Sequence, residues 1–161
     1  MKLVKFLLKL IGSLLGVVVL AIGGLNVAKF AIYAEYYSIS ESLCINPGLN
    51  DGFVCQGIAA WDMEDKIVVS GYMKDKSASR LYIVDPQDNT YNYYEILTSD
   101  GQPFTGHCGG IAVHGVVAII ASGGCLLTFP LTQDLSDGFG YIKNTFEVPV
   151  AASFIYSDNQ H

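Results

Sequence analysis

The residue of this sequence best suited to chemistry is a histidine set among glycines. His107 lies in the run Thr105-Gly106-His107-Cys108-Gly109-Gly110. Imidazole titrates near neutral pH, so His107 could take a proton from an attacking water or bind a ligand. No Gly-x-Ser-x-Gly elbow or Ser-His-Asp spacing accompanies it. We therefore favour the alternative, in which His107 hydrogen-bonds backbone where a strand begins.

The four cysteines form a second set of reactive groups. Cys44 and Cys55 bracket two turn-forming segments that let the chain double back. In an oxidising compartment we expect these two to form a disulfide, which would stabilise the fold by roughly 2 to 3 kcal/mol. Cys108 and Cys125 are expected on the first and third strands of one sheet. These strands lie about 9.6 Å apart, which exceeds disulfide reach.

The charges of the chain are divided between a basic N-terminal segment, residues 1–33, and an acidic remainder, which we call the body. The first 33 residues carry four lysines and no acid, whereas the rest carries 5 basic and 15 acidic residues. An acidic body is repelled by phosphate, which excludes nucleic acid as the obvious partner.

An uncharged stretch of 19 residues, from Leu10 to Ala28, is long enough to cross a bilayer as a helix and so to contact membrane lipid. Lysines precede it and acids follow it, which predicts a cytoplasmic N-terminus and an extracytoplasmic body in a single-pass protein of the cell membrane. We favour an uncleaved signal anchor because the apolar run is long and small-residue cleavage sites are poor. A cleaved signal peptide and a buried core helix are the alternatives.

The body is predicted to be all-β, because short runs of Val, Ile, Tyr and Phe recur between turn residues. The candidate strands are Gly57 to Trp61, Lys66 to Gly71, Arg80 to Asp85, Tyr91 to Leu97, Gly110 to His114, Val116 to Ser122, Leu126 to Phe129 and Tyr141 to Val148.

An internal repeat organises these strands. Gly57-Ile58-Ala59 recurs as Gly110-Ile111-Ala112 at an offset of 53, and residues 67–71 recur as residues 119–123 at an offset of 52. Residues 94–96 recur as 146–148, again at 52, and residues 81–84 recur as 126–129 at an offset of 45. A third copy begins at Ser153-Phe154-Ile155.

Four short strands in each unit of 43 to 53 residues are typical of a β-propeller blade. We therefore predict a partial β-propeller of two four-stranded blades and the start of a third. The expected domains are residues 1–33 as lysines and anchor, 34–50 as linker and 51–161 as the partial propeller. The chain is then the N-terminal part of a longer protein. A β-sandwich is the alternative fold.

The first repeat contains an excursion, from Tyr72 to Arg80, that has no counterpart in the second. Long loops on propeller faces often meet ligands, so Tyr72 and Arg80 are candidate binding residues, with an ordinary surface hairpin as the alternative. The tyrosines at 91, 93 and 94 are expected to cover an outer strand, and stacking on a sugar is the alternative.

Three segments carry a resemblance to known proteins: residues 51–59, 70–80 and 105–112. Together they resemble membrane-anchored bacterial propeller proteins of unassigned function and, more distantly, propellers of the six-bladed gluconolactonase and paraoxonase type. In the latter group a carboxylate on the first inner strand helps to hold calcium or zinc. The similar segment here has Gln56 at that position, so the resemblance implies calcium only in a full-length propeller, and no cofactor for this chain. It also implies a general-base role for His107.

Two functions from different classes follow. The first is a binding module that contacts an extracytoplasmic protein, peptide or glycan through Gln56, Tyr72, Arg80 and His107. The alternative is a metal-dependent lactonase or esterase with His107 as base, completed by further blades. A third alternative is a truncated product without function.

The lysine asymmetry makes the membrane topology testable. In intact cells, Cys44 or Cys55 should react with a membrane-impermeant thiol reagent after reduction, because the body is expected outside. Labelling that requires cell lysis would contradict this topology.

Overall fold

The computed structural model describes residues 2–157, and the chain divides into two compact units at Ser42. The described residues of the first unit form helices α1 (Lys2–Ile32) and α2 (Ala34–Ile39). The second unit, from Leu43 onward, is built mostly of sheet. The segment expected as a linker, residues 34–50, is therefore divided between the two units. Helix α2 belongs to the first unit and residues 43–50 belong to the second.

Helix α1 contains the whole uncharged stretch from Leu10 to Ala28 and extends beyond it at both ends. The extension is physically reasonable because lysine and leucine are good helix formers and no proline interrupts them. The most apolar part of α1 has a mean hydropathy of 2.4, and no residue of the helix is buried. One apolar N-terminal helix of this length could serve as a single membrane span or signal anchor, whereas the absence of burial does not support a core helix.

In the part of the second unit that the structure describes, eight strands form two sheets. In chain order the strands are β1 (Phe53–Trp61), β2 (Lys66–Met73), β3 (Arg80–Val84), β4 (Tyr91–Leu97), β5 (Gly110–His114), β6 (Val117–Pro130), β7 (Phe139–Tyr141) and β8 (Asn144–Ala152). The first sheet has the order β1-β2-β3-β4-β7 and the second β5-β6-β8. The prediction of a β-rich body is confirmed, and neither sheet closes on itself within the described residues.

Strand β6 doubles back on itself. A straight strand of its length would separate its ends by more than about 40 Å. Instead, the backbone N–H of Leu131 donates to the carbonyl of Val116 at 2.8 Å. The reversal falls at Gly123-Gly124, where Gly123 has the positive φ of +59° that a two-residue hairpin turn uses. The first arm of β6 pairs with β5 and the second arm with β8, so the second sheet also follows a four-segment antiparallel path.

The last predicted strand, Tyr141 to Val148, is wrong as a single element. Tyr141 ends β7, which lies parallel to β4, whereas Asn144 begins β8 in the other sheet. Between them the N–H of Ile142 donates to the carbonyl of Leu97 and that of Lys143 to Thr128, both at 2.8 Å. The chain therefore crosses from one sheet to the other at these two residues. Ile142 is buried in the apolar cluster to which both sheets contribute.

Strand pairing repeats between the two sheets. Gly57 pairs with Ser70 in the first sheet, and Gly110 pairs with Ala121 in the second. The sequence offset of 52 for the second strand is therefore wrong by one residue. The β5–β6 turn is two residues shorter than the β1–β2 turn, which reduces the offset from 53 to 51. In the outer pair, Leu81–Tyr94 and Leu126–Phe146 correspond as the sequence predicts.

The first strands of the repeats approach each other through glycine. A methyl group added at Gly57 would lie 2.9 Å from the backbone nitrogen of Ile111. At the equivalent Gly110, an added methyl group would lie 2.9 Å from Cα of Phe154, in the predicted third copy. Both distances are too short for a side chain, so glycine at this position allows consecutive copies to contact through their backbones.

Two apolar clusters hold the sheets. The larger one lies between the sheets and combines Val68, Leu81 and Ile96 of the first with Ile120 and Phe129 of the second. The smaller one covers the opposite face of the first sheet and is centred on a second group of buried side chains: Phe53, Ile67, Val69, Met73, Tyr82 and Val84. Residues 43–50 belong to this covering layer, since Cys44 packs against it and Pro47 is fully buried.

Substitution of Gly57 tests the close approach. Gly57→Ala should lower the free energy of unfolding by about 1 to 3 kcal/mol, because its methyl group would meet backbone that cannot rotate away. Thermal unfolding of the sheet signal in circular dichroism measures the change. Gly124→Ala is the matched control, because its methyl group has its nearest neighbour at 3.9 Å and should leave unfolding nearly unchanged.

Candidate functional site

The segment that carries His107 is held by two buried serines of the first sheet. Ser79 Oγ donates to the carbonyl of Gly106 at 2.7 Å, and Ser70 Oγ donates to that of Cys108 at 3.3 Å. Both serines are fully buried, and each hydroxyl donates its hydrogen bond to the carbonyl of a residue next to His107. The backbone N–H of Ser79 also donates to Phe104, at 2.7 Å. His107 therefore projects from backbone that is fixed on both sides.

His107 contacts Tyr72, the residue that the sequence singled out independently. Their ring centroids are 4.5 Å apart, with the rings tilted by 56°. Tyr72 is half-buried near the end of β2, and His107 is exposed at the entry to β5. Neither of the two ion pairs recorded among the described residues includes His107. The structure thus joins two of the four predicted binding residues in one partly exposed pair.

Gln56 lies at the same end of the sheets, in a β-bulge of β1. It is the extra residue of a β-bulge between Cys55 and Gly57 and is exposed. Its side-chain amide donates to the carbonyl of Cys55 at 3.3 Å. Within residues 2–157 no group of three His, Cys, Asp or Glu side chains is arranged to hold a metal ion. The expectation about calcium stays untested.

Arg80 begins β3 at this end of the sheets, and its side chain contacts tyrosines of β3 and β4. Its guanidinium lies 4.2 Å from the centroid of the Tyr93 ring and 3.5 Å from the Tyr82 hydroxyl. Glu95 is 4.0 Å away, and Arg80 Nε is buried without a hydrogen-bond partner among the described residues. Arg80 therefore belongs to an aromatic group around β4.

The sequence did not identify the serines that hold the site. Ser70 falls within the repeated strand motif, which carries no signal of a hydrogen bond to a distant segment. Ser79 precedes β3 in the excursion and carries no local signal of burial. Only the pairing of segments distant in sequence shows that both hydroxyls face residues 106–108.

The four cysteines are free thiols in the structure. Cys44 and Cys55 pack against the same smaller cluster, and burial raises the pKa of Cys55 although a hydrogen bond with Asn46 opposes the shift. Burial raises the pKa of Cys108 to about 12, which makes this thiol a poor nucleophile. A Cys44–Cys55 disulfide stays a prediction.

Comparisons with known proteins add no relative. No protein-family model matches the chain, and no curated protein or solved structure is significantly similar to it.

The disulfide can be tested by peptide mapping. After expression in an oxidising compartment and alkylation without reduction, Cys44 and Cys55 should be recovered in one linked peptide, because both border the same apolar cluster. Cys108 should stay unalkylated until unfolding and serves as the internal reference for an intact core. Recovery of Cys44 as a singly alkylated peptide would contradict the pairing.

Proposed function

We propose that this protein is a membrane-anchored interaction module built from propeller-type repeats. Three features support a blade-like repeat: the antiparallel path of four segments, the shared strand registers, and the glycine contacts at equivalent positions. In a propeller, successive blades pack face to face, as the two sheets do across the larger apolar cluster.

The sheet unit is proposed to lie outside the cytoplasm. The lysines at positions 2, 5 and 9 precede the apolar stretch of α1, and cytoplasmic flanks carry an excess of such charges. The acidic character of the rest of the chain suits an exposed domain that stays soluble beside a membrane.

The Tyr72–His107 pair is the observation that carries the binding role. A partly exposed aromatic pair on fixed backbone loses little conformational freedom when a partner covers it, and tyrosine is common among residues that dominate binding energy. Lys74 and Lys76 are exposed in the turn that follows Tyr72. The ligand proposed for this end of the sheets is a segment of an extracytoplasmic protein that carries acidic side chains.

Site-specific photocrosslinking in cells tests this function. A benzophenone side chain at position 72 should give a discrete adduct with a second protein on irradiation, and His107→Ala should reduce its yield several-fold by removing half of the contact pair. Benzophenone at Met63 is the matched control, because Met63 is exposed in the β1–β2 turn, at the opposite end of the sheet. His114→Ala, at the end of β5, controls for loss of a surface histidine.

Two results would contradict the proposal. The same adducts from positions 72 and 63 would show contact without a defined site. Lactone or ester hydrolysis that is lost in His107→Ala, with no adduct from position 72, would support the hydrolase alternative instead.

A further inference from the structure

A cleft lies beside the outer part of the first sheet, and its lining includes neither Tyr72 nor His107. It has a volume of about 580 Å³. We call it the tyrosine cleft, and its lining consists of Tyr91, Asn92, Tyr93, Glu95, Asp137, Gly138 and Phe139. We propose that the tyrosine cleft binds an uncharged oligosaccharide. This inference concerns a second site and does not depend on the proposed function.

The cleft exists because β7 is shorter than the strand it pairs with. β7 covers β4 only from Glu95 to Leu97, and among the described residues no strand pairs with Tyr91 to Tyr94 on that side. The N–H of Glu95 donates to the carbonyl of Gly138, at 3.0 Å. Because backbone groups alternate along a strand, the N–H and C=O of Tyr91 and Tyr93 also point toward the open edge. The tyrosine cleft therefore offers unpaired backbone donors and acceptors.

The aromatic rings at the cleft combine exposure with fixed positions. Tyr91 is 47% exposed and Tyr93 is 42% exposed. Each ring packs against the fully buried Tyr82, with centroids 5.5 Å apart in both cases. Phe139 lies opposite Glu95 across the β4–β7 pair. The rings are thus supported from below and accessible from solvent.

This combination matches the chemistry of a sugar. A pyranose ring presents an apolar C–H face, which packs on an aromatic ring, and hydroxyl groups around its edge, which need hydrogen-bond partners. Glu95, which shares a strand face with the tyrosines, and Asp137 supply carboxylate groups to the cleft. Aromatic walls with a few convergent polar groups are typical of small-ligand sites.

Arg80 favours an uncharged ligand over a cationic one. Aromatic rings and acids together can also bind a cationic peptide. Here the guanidinium of Arg80 already lies 4.2 Å from the centre of the Tyr93 ring and 4.0 Å from a Glu95 carboxylate oxygen. A second cation at this place would be repelled by Arg80 and would find Glu95 partly neutralised.

Binding is tested on the full chain in a polyoxyethylene detergent, which carries no sugar. Cellotetraose and tetra-N-acetylchitotetraose are titrated separately, with saturation-transfer NMR and calorimetry as readouts. At least one should bind saturably, and Tyr91→Ala should weaken that binding about fivefold to tenfold through loss of one stacking face. Asp137→Ala should also weaken it, whereas Asp137→Asn, which keeps an oxygen acceptor, should retain most of the affinity.

Matched controls separate this site from other surfaces. Tyr156→Ala should leave oligosaccharide binding unchanged, since Tyr156 is an exposed tyrosine that does not line the cleft. His107→Ala should also leave it unchanged, which distinguishes this site from the Tyr72–His107 pair. Circular dichroism of each variant verifies the fold.

Three outcomes would overturn the inference. The first is no saturable binding of either oligosaccharide at millimolar concentration. The second is binding that Tyr91→Ala and Asp137→Ala leave undiminished. The third is saturable binding of tetralysine, weakened by Asp137→Ala, where neither oligosaccharide binds, because this would assign the cleft to cationic peptides.

Discussion

The close backbone approach at Gly57 is the constraint on which the sheet unit depends. A side chain there would meet the nitrogen of Ile111 and the hydroxyl of Ser70, so only glycine allows β5 to lie against β1 at this distance. The same distance allows Ser70 to reach the carbonyl of Cys108. A wider separation would break this hydrogen bond, leave a buried hydroxyl unsatisfied and open the apolar cluster between the sheets.

The two faces of the first sheet are covered in different ways. One face packs against the second sheet, whereas the other is covered in part by residues 43–50. Gly48 is essential to that cover, because its φ is +69° and a methyl group at this position would overlap the Tyr82 hydroxyl. The side-chain oxygen of Asn89 accepts from the N–H of Ile45 at 3.0 Å and attaches the segment to the β3–β4 turn. A short irregular segment thus does for this face what a neighbouring sheet does for the other.

Local sequence patterns predicted the strands well, because β-branched and aromatic runs and Gly-containing turns act over a few residues. The turn at Gly123-Gly124 is an example. β7 was missed because Phe139-Gly140-Tyr141 is too short for a periodic signal and is stabilised by β4, more than 40 residues earlier in the chain. The sequence could indicate only that Tyr72 and His107 lie at the same end of the sheets. It could not indicate that their rings are in contact. The geometry of this contact depends on Ser70 and Ser79, whose burial is set by tertiary packing.

The position of His107 links any ligand at that end to the stability of the fold. The histidine lies in the connection between the two sheets, and the hydrogen bonds that fix it cross from the first sheet to this connection. Tyr72 belongs to the first sheet, so a partner that covers both rings contacts the sheet and the connection at once. Such a partner binds the closed junction better than an opened one and therefore stabilises the packing of the sheets by mass action. The tyrosine cleft differs in this respect, because β4 and β7 already belong to one sheet. A ligand there would fix the crossing segment around Ile142 only through β7.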